Sequence, residues 1–216
     1  GGVFLDRSLD TSAEVFTFTF AMFALGRACL PRGGMEAIPK QLAAGMPPGA
    51  ILLGNAVARV QPGLVVLADG REFAARTIVV ATEGSSSASL LPPGLCGAAA
   101  TRGWKSTRMA AFAATRSPLA SPTVVVNADE AGPIDNLTVP SDVAGGYAPP
   151  GAAVVYASIR HDWQGEDADL IDALRRQAAG WFGPSVHAWR HLETVRVDHA
   201  LPDESPAARR NGVAAS

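Results

Sequence analysis

The sequence predicts an α+β domain that carries a piece of an α/β sheet. Three observations carry this reading. Five stretches of strand composition stand in the second half: "STRMAAFAATR", "PTVVVNA", "IDNLTV", "AVVYASIR" and "VHAWRHLETVRV". One amphipathic helix separates the last two. In the first half, "LVVLADGREF" sets Asp69-Gly70 between two apolar runs, a hairpin signal. "RTIVVAT" follows, a continuous β-branched run that suits a strand covered on both faces.

Each element has its own local reason. "TSAEVFTFTFAMFALG" opens with Thr11 and Glu14 at capping-box spacing and ends at Gly26, so a helix is expected over 12–25. It is apolar nearly all round, which predicts that it is buried or lines a ligand cavity. Phe16, Phe20 and Phe23 share one stripe of it. A second helix is expected from Gly34 to Ala44, with Pro39 near its first turn, where a missing N–H costs least. "AILLG" reads as a short apolar strand. "NAVARVQ" reads as an alternating one, with Val57 and Val60 out of strict phase. "GSSSASLLPPG" is a short helix or loop leading to a proline turn. In "DADLIDALRRQAAGWFG", Leu170, Ile171, Leu174, Ala178 and Trp181 follow the 3.6-residue period. The tail after Pro202 is polar and rich in Pro and Ala, and is expected to be ragged.

The totals exclude several classes. The chain has 216 residues, 48% apolar and 18% charged, enough for a sizeable core. Its 18 basic and 20 acidic residues form no basic stripe, so nucleic acid is not an expected partner. No apolar run approaches the roughly 20 residues of a bilayer span, so no integral membrane segment is expected. "GGVFLD" is neither a signal nor a transit peptide, and the chain reads as a piece of a longer one.

Cys29 and Cys96 have no CxxC spacing and read as two buried thiols, with a disulfide as the alternative. His187 and His191 are four apart, and His199 follows. Their surroundings favour a strand and supply no carboxylate at ligand spacing, so no metal is expected. "GSSSAS" lacks the GxSxG elbow of a serine hydrolase. The sequon at Asn136 reads as chance, and Trp163, Trp181 and Trp189 as core aromatics. No GxGxxG and no GxxxxGK[ST] occurs, so the chain has no phosphate-cradling loop of its own.

The series "LPRGGMEAIPKQLA", "ILLGNAVARVQ", "VVLADGREFAARTIVVAT" resembles the middle of the flavin-dependent amine oxidase superfamily. That superfamily includes monoamine and polyamine oxidases, protoporphyrinogen oxidase and carotenoid desaturases. Its order of P-x-GG, helix, strand, N-x-V-x-x-V, DG hairpin and VVVAT is kept here. "GPIDNLTVPSDVAGGYAPPGAAVVYASI" and "WRHLETVRVDHALP" resemble a plant and algal branch of FAD-dependent oxidoreductases, which points to a plastid. The resemblance extends to Pro202.

It implies a partial FAD-binding, Rossmann-like domain joined to an antiparallel-sheet substrate domain with helices. Residues 1–48 would be substrate-domain helices and a crossing segment. Residues 49–92 would belong to the FAD domain, 93–202 to the substrate domain, and 203–216 to the tail. It further implies oxidation of a small amine or apolar substrate by hydride transfer to FAD. The Val57 backbone would hold the adenine, with Ala81, Thr82 and Glu83 near the cofactor. Gly33 and Gly34 either let backbone pass close to the flavin or substrate cavity, or make a plain tight turn.

No acid or base is assigned, and neither lysine, Lys40 or Lys105, matches the family's flavin lysine by motif. The family's Gly-rich pyrophosphate turn and its later Gly-Asp are not found, so FAD is expected to be held weakly. Two alternatives stay open. One is a catalytically inactive, truncated chain acting as a binding or interaction module. The other is a lipid- or pigment-carrying β domain.

Overall fold

The computed structural model describes residues 2–208, apart from 7, 93–102, 130, 164 and 166. Cys96, the end of the proline turn and the tail beyond 208 lie outside the described residues. Helices α1 (Ala13–Leu25) and α2 (Ala37–Ala44) come first. Strands β1 (Val57–Gln61), β2 (Leu64–Leu67) and β3 (Glu72–Ala74) then form an antiparallel sheet in chain order. After α3 (Gly84–Leu90) come β4 (Trp104–Ala114), β5 (Val124–Val126), β6 (Ile134–Thr138), α4 (Pro140–Val143), β7 (Ala153–Ile159), α5 (Asp167–Phe182) and β8 (Arg190–Pro202). These five strands make a second antiparallel sheet, in the order β5-β6-β7-β4-β8.

The core lies between this sheet and α5. Period-2 alternation on β4 and β7 turns Ala110, Phe112 and Ala114, with Ala153, Val155, Ala157 and Ile159, to one face. The 3.6 period of α5 sets Leu170, Leu174 and Ala178 against them. Gln177 clamps the helix to β6: its side chain accepts from Ile134 N–H and donates to Ala131 C=O, each at 2.8 Å. Arg175 reaches the Trp189 carbonyl from two of its nitrogens and lies over the Phe112 ring. Trp189 is buried, while Trp163 and Trp181 pack on the margin of the core. The Asn136 sequon sits inside β6, paired on both sides.

Several expectations from the sequence are corrected. Thr11 does not cap α1: its N–H and hydroxyl both donate to Asp6, at 2.8 and 2.7 Å, and Ser12 caps the helix one residue later. No residue of α1 is buried, and Phe16, Phe20 and Phe23 are each about half exposed. Phe20 still meets its stripe, stacked on Phe16 at 4.4 Å and edge-on to Phe23 at 5.8 Å, with Phe4 alongside. The second helix starts at Ala37, after two turns, which leaves Pro39 in its first turn. "AILLG" is not a strand, and Leu53 is largely exposed. Residues 76–82 form no strand either, because no described strand lies beside them to complete a ladder, and Val79 is 82% exposed. Cys29 is exposed rather than buried. Residues 203–208 are tied down: Asp203 N–H donates to Gly103 C=O, and Ser12 N–H to Glu204 C=O.

Asp6 is the buried charged residue among those described. Burial pushes its carboxyl up. The Thr11 hydroxyl, the Lys105 ammonium at 3.2 Å and the Thr11 N–H together outweigh this and bring it down to about 2. The contact ties the first turn of the chain to β4.

Two predictions follow from this packing. Leu174→Ala should cost about 2–5 kcal/mol in urea unfolding, whereas Phe20→Ala, losing a half-exposed ring contact, should cost under about 1.5 kcal/mol. Because the folded Asp6 pKa lies below the ordinary 3.8, its contribution is present above about pH 4 and lost as pH falls through about 2. Asp6→Asn should therefore remove on the order of 2 kcal/mol at pH 7. It should also flatten the acid limb of stability between pH 4 and 2, read from urea midpoints across that range.

Candidate functional site

The segment that the sequence reading assigned to the adenine forms β1, at the edge of the three-stranded sheet. Among the described residues nothing ladders onto its outer side. The Ala56 carbonyl accepts from Ala68 N–H at 2.8 Å, so it faces β2. Neighbouring residues of a strand face opposite edges, which turns the Val57 N–H and C=O outward. Leu67, the register partner of Val57, spends its own groups on the hairpin: its N–H donates to Arg71 C=O and its C=O accepts from Gly70 N–H. A bulge between Val57 and Arg59 adds one residue to β1 and so sets Val57 and Val60 opposite Leu67 and Val65, on one face of the sheet; Val60 is buried there and Val57 is 36% exposed.

The hairpin explains the asparagine before Val57. Gly70 takes φ +87°, as the Asp69-Gly70 turn requires. Arg71 donates to Asp69 through its backbone N–H at 3.0 Å and its Nε at 2.7 Å, which holds the Asp69 carboxyl below the usual range. The same guanidinium reaches Asn55 Oδ1, and Asn55 Nδ2 donates to Leu53 C=O. Motif and hairpin are thus one hydrogen-bonded unit.

Ala81, Thr82 and Glu83 are exposed and lead into α3, which packs against β1. Thr82 Oγ1 is 2.9 Å from Ser87 Oγ, and the Ser87 hydroxyl also reaches Thr82 C=O. Glu83 is the most heavily bonded of the three. Ser85 and Ser86 donate to its Oε1, and its Oε2 lies 2.8 Å from His199 Nδ1 on β8. The Ser85 hydroxyl bond, then the His199 contact, hold the Glu83 carboxyl below its ordinary value. Trp104, across on β4, stacks on the His199 ring at 5.0 Å and 27°.

Gly33 and Gly34 lie elsewhere. Gly34 takes φ +83° with open space where a Cβ would stand, and its N–H closes a turn onto Pro31 C=O. The close approach is made at Gly146, where an added Cβ would come 2.5 Å from the Arg32 carbonyl. Here the glycine that backbone contact demands is Gly146, which the sequence reading passed over.

The other candidates are engaged or solvated. Lys40 pairs with Glu36 at 3.0 Å and Lys105 with Asp6. His187 is exposed in the 3-10 turn Pro184–Ala188, and His191 Nε2 meets Thr194 Oγ1 at 2.9 Å. Among the described residues no group of three His, Cys, Asp or Glu side chains can hold a metal ion, and no helix is long and apolar enough to cross a membrane. The Glu83–His199 pair was invisible in the sequence because its members are 116 residues apart. Only the β4–β8 register brings Trp104 and His199 together.

No curated protein matches the chain. Solved structures do. A reduced UDP-galactopyranose mutase aligns with TM-score 0.66 and 13% identity, over 84% of this chain and 42% of that one. An oxidoreductase from Methanosarcina mazei gives 0.58 and 15%, over 89% and 48%. Cyclohexylamine oxidase from Brevibacterium oxydans IH-35A gives 0.53 and 17%, over 76% and 38%. These likenesses concern the fold, and the chain spans less than half the length of each. The family of flavin containing amine oxidoreductases matches over residues 1–203, nearly the whole sequence that the site is built from. The chain belongs to that family.

Proposed function

We propose that the chain supplies the adenine-binding edge and the substrate-side sheet of an FAD-dependent oxidoreductase of the amine oxidase type. Its substrate would be a small amine or apolar molecule that gives up a hydride. The observation that carries this is the outward-facing Val57 backbone on an unladdered strand edge. An adenine needs one donor and one acceptor side by side, and an edge strand offers both without moving.

The residues present fit part of FAD. Val57 would hold the adenine ring, and Ala81 and Thr82, leading into the helix packed on β1, would lie along the nucleotide. When bound, FAD would supply the redox chemistry, taking up the two electrons of the substrate. The chain's own part is to bind, to orient and to exclude water. The Phe16, Phe20 and Phe23 stripe offers an apolar wall suited to the hydrocarbon part of a substrate. A pyrophosphate needs a Gly-rich turn into a helix start, and this sequence has no GxGxxG.

That distribution of contacts gives a test. FAD, followed by flavin fluorescence quenching, should bind the chain more weakly than about 1 µM. AMP should compete and riboflavin should not. Val57→Pro removes one outward N–H without breaking the β1–β2 ladder, and should weaken FAD roughly fivefold, the worth of one hydrogen bond. Competition by riboflavin but not AMP, or unchanged FAD affinity in Val57→Pro, would refute the adenine-edge reading.

A further inference from the structure

We propose that His199 is the proton acceptor that readies an amine substrate for oxidation, with Glu83 and Trp104 as its positioning residues. This rests on the flavin-oxidation reading above and narrows the substrate from "amine or apolar" to a protonated alkylamine.

Glu83 sets the protonation of the His199 ring. Hydroxyl groups of Ser85 and Ser86 donate to its Oε1, and its carboxyl is held below the ordinary range, so at neutral pH it is ionised. An ionised carboxylate only accepts. The 2.8 Å contact from Glu83 Oε2 to His199 Nδ1 therefore needs the hydrogen on Nδ1. In a neutral imidazole that leaves the lone pair on Nε2. Nε2 of His199 has no hydrogen-bond partner among the described residues, and the side chain is 44% exposed. The Trp104 ring fixes the plane of the imidazole. A base with its tautomer set by a carboxylate and its plane set by an aromatic face is oriented for proton abstraction. His191 is not comparable, since its Nε2 is engaged by Thr194.

The location matters as much as the geometry. Glu83 ends the segment proposed to follow the nucleotide, and His199 stands on the sheet proposed to face the substrate. Their bond joins the two. In the step itself, an N–H bond of the alkylammonium breaks and its electron pair stays on nitrogen. The proton goes to Nε2, and the imidazolium formed is paired with the Glu83 carboxylate. With FAD bound, the flavin would supply the two-electron acceptor for a hydride from the α-carbon of the neutral amine, and the substrate would leave as an iminium.

The test has two arms on the full chain. Ring nitrogen shifts of His199 by NMR should show the Nδ1–H tautomer in the native protein and a mixture in Glu83→Ala. With FAD added above its Kd and no oxygen, benzylamine should bleach the flavin. His199→Gln should slow bleaching by ~100-fold, the usual range for a lost general base, and the His187→Gln control should leave it unchanged. If benzylamine does not bleach flavin with the native chain, the flavin reading falls and this proposal with it. If His199→Gln bleaches as fast as native, or the native ring carries its hydrogen on Nε2, this proposal alone is overturned.

Discussion

Strand β4 is hydrogen-bonded along both edges, to β7 from Arg108 to Ala114 and to β8 from Trp104 to Ala113. Much of the rest of the molecule is placed by those two ladders. They hold Phe112 under α5, and they carry Lys105 to Asp6, which fastens the start of the chain. They also set Trp104 against His199, and so decide where Glu83 finds its partner. The small residues Ala110 and Ala114 on the face that α5 covers suit a central strand, because a helix must pack closely over them. A register slip of one residue would turn Phe112 out of the core and undo all of these contacts together.

The two sheets differ in how they are sustained. The five-stranded sheet has a contiguous core of strand, helix and aromatic residues. The hairpin sheet buries Val60 and Leu67, and three short strands with so little apolar burial are marginal alone. It leans on α3 packed against β1. The Glu83–His199 contact then fastens the start of α3 to the large sheet. Both partners are partly exposed, so that bond contributes little to stability. Its value is positional.

Much of this was legible in the sequence where local pattern and tertiary context agree. Helix α5 showed because its apolar period matches the face that the sheet covers. The Asp69-Gly70 hairpin showed because turn chemistry is local. The failures have a common cause. "RTIVVAT" and the apolar helix α1 both carry composition suited to burial, yet burial needs a neighbour, and composition does not say where the neighbour is. Thr11 and Ser12 are equally good caps in the sequence. Asp6 decided between them by taking both donors of Thr11.

The exposed apolar surface is not spread evenly. Phe16, Phe18, Phe20, Met22, Phe23, Leu25, Leu52, Leu53 and Val79 all lie before residue 84, outside the large sheet. The residues proposed for the nucleotide, Val57 and 81–83, fall within that same portion. The unladdered edge of β1 and the exposed face of α1 both belong to that portion. The five-stranded sheet is closed on the face that α5 covers, while its edge strands still expose Val124, Val126, Leu192, Val195 and Val197. It fixes β8, and through His199 it holds Glu83 between the two sheets.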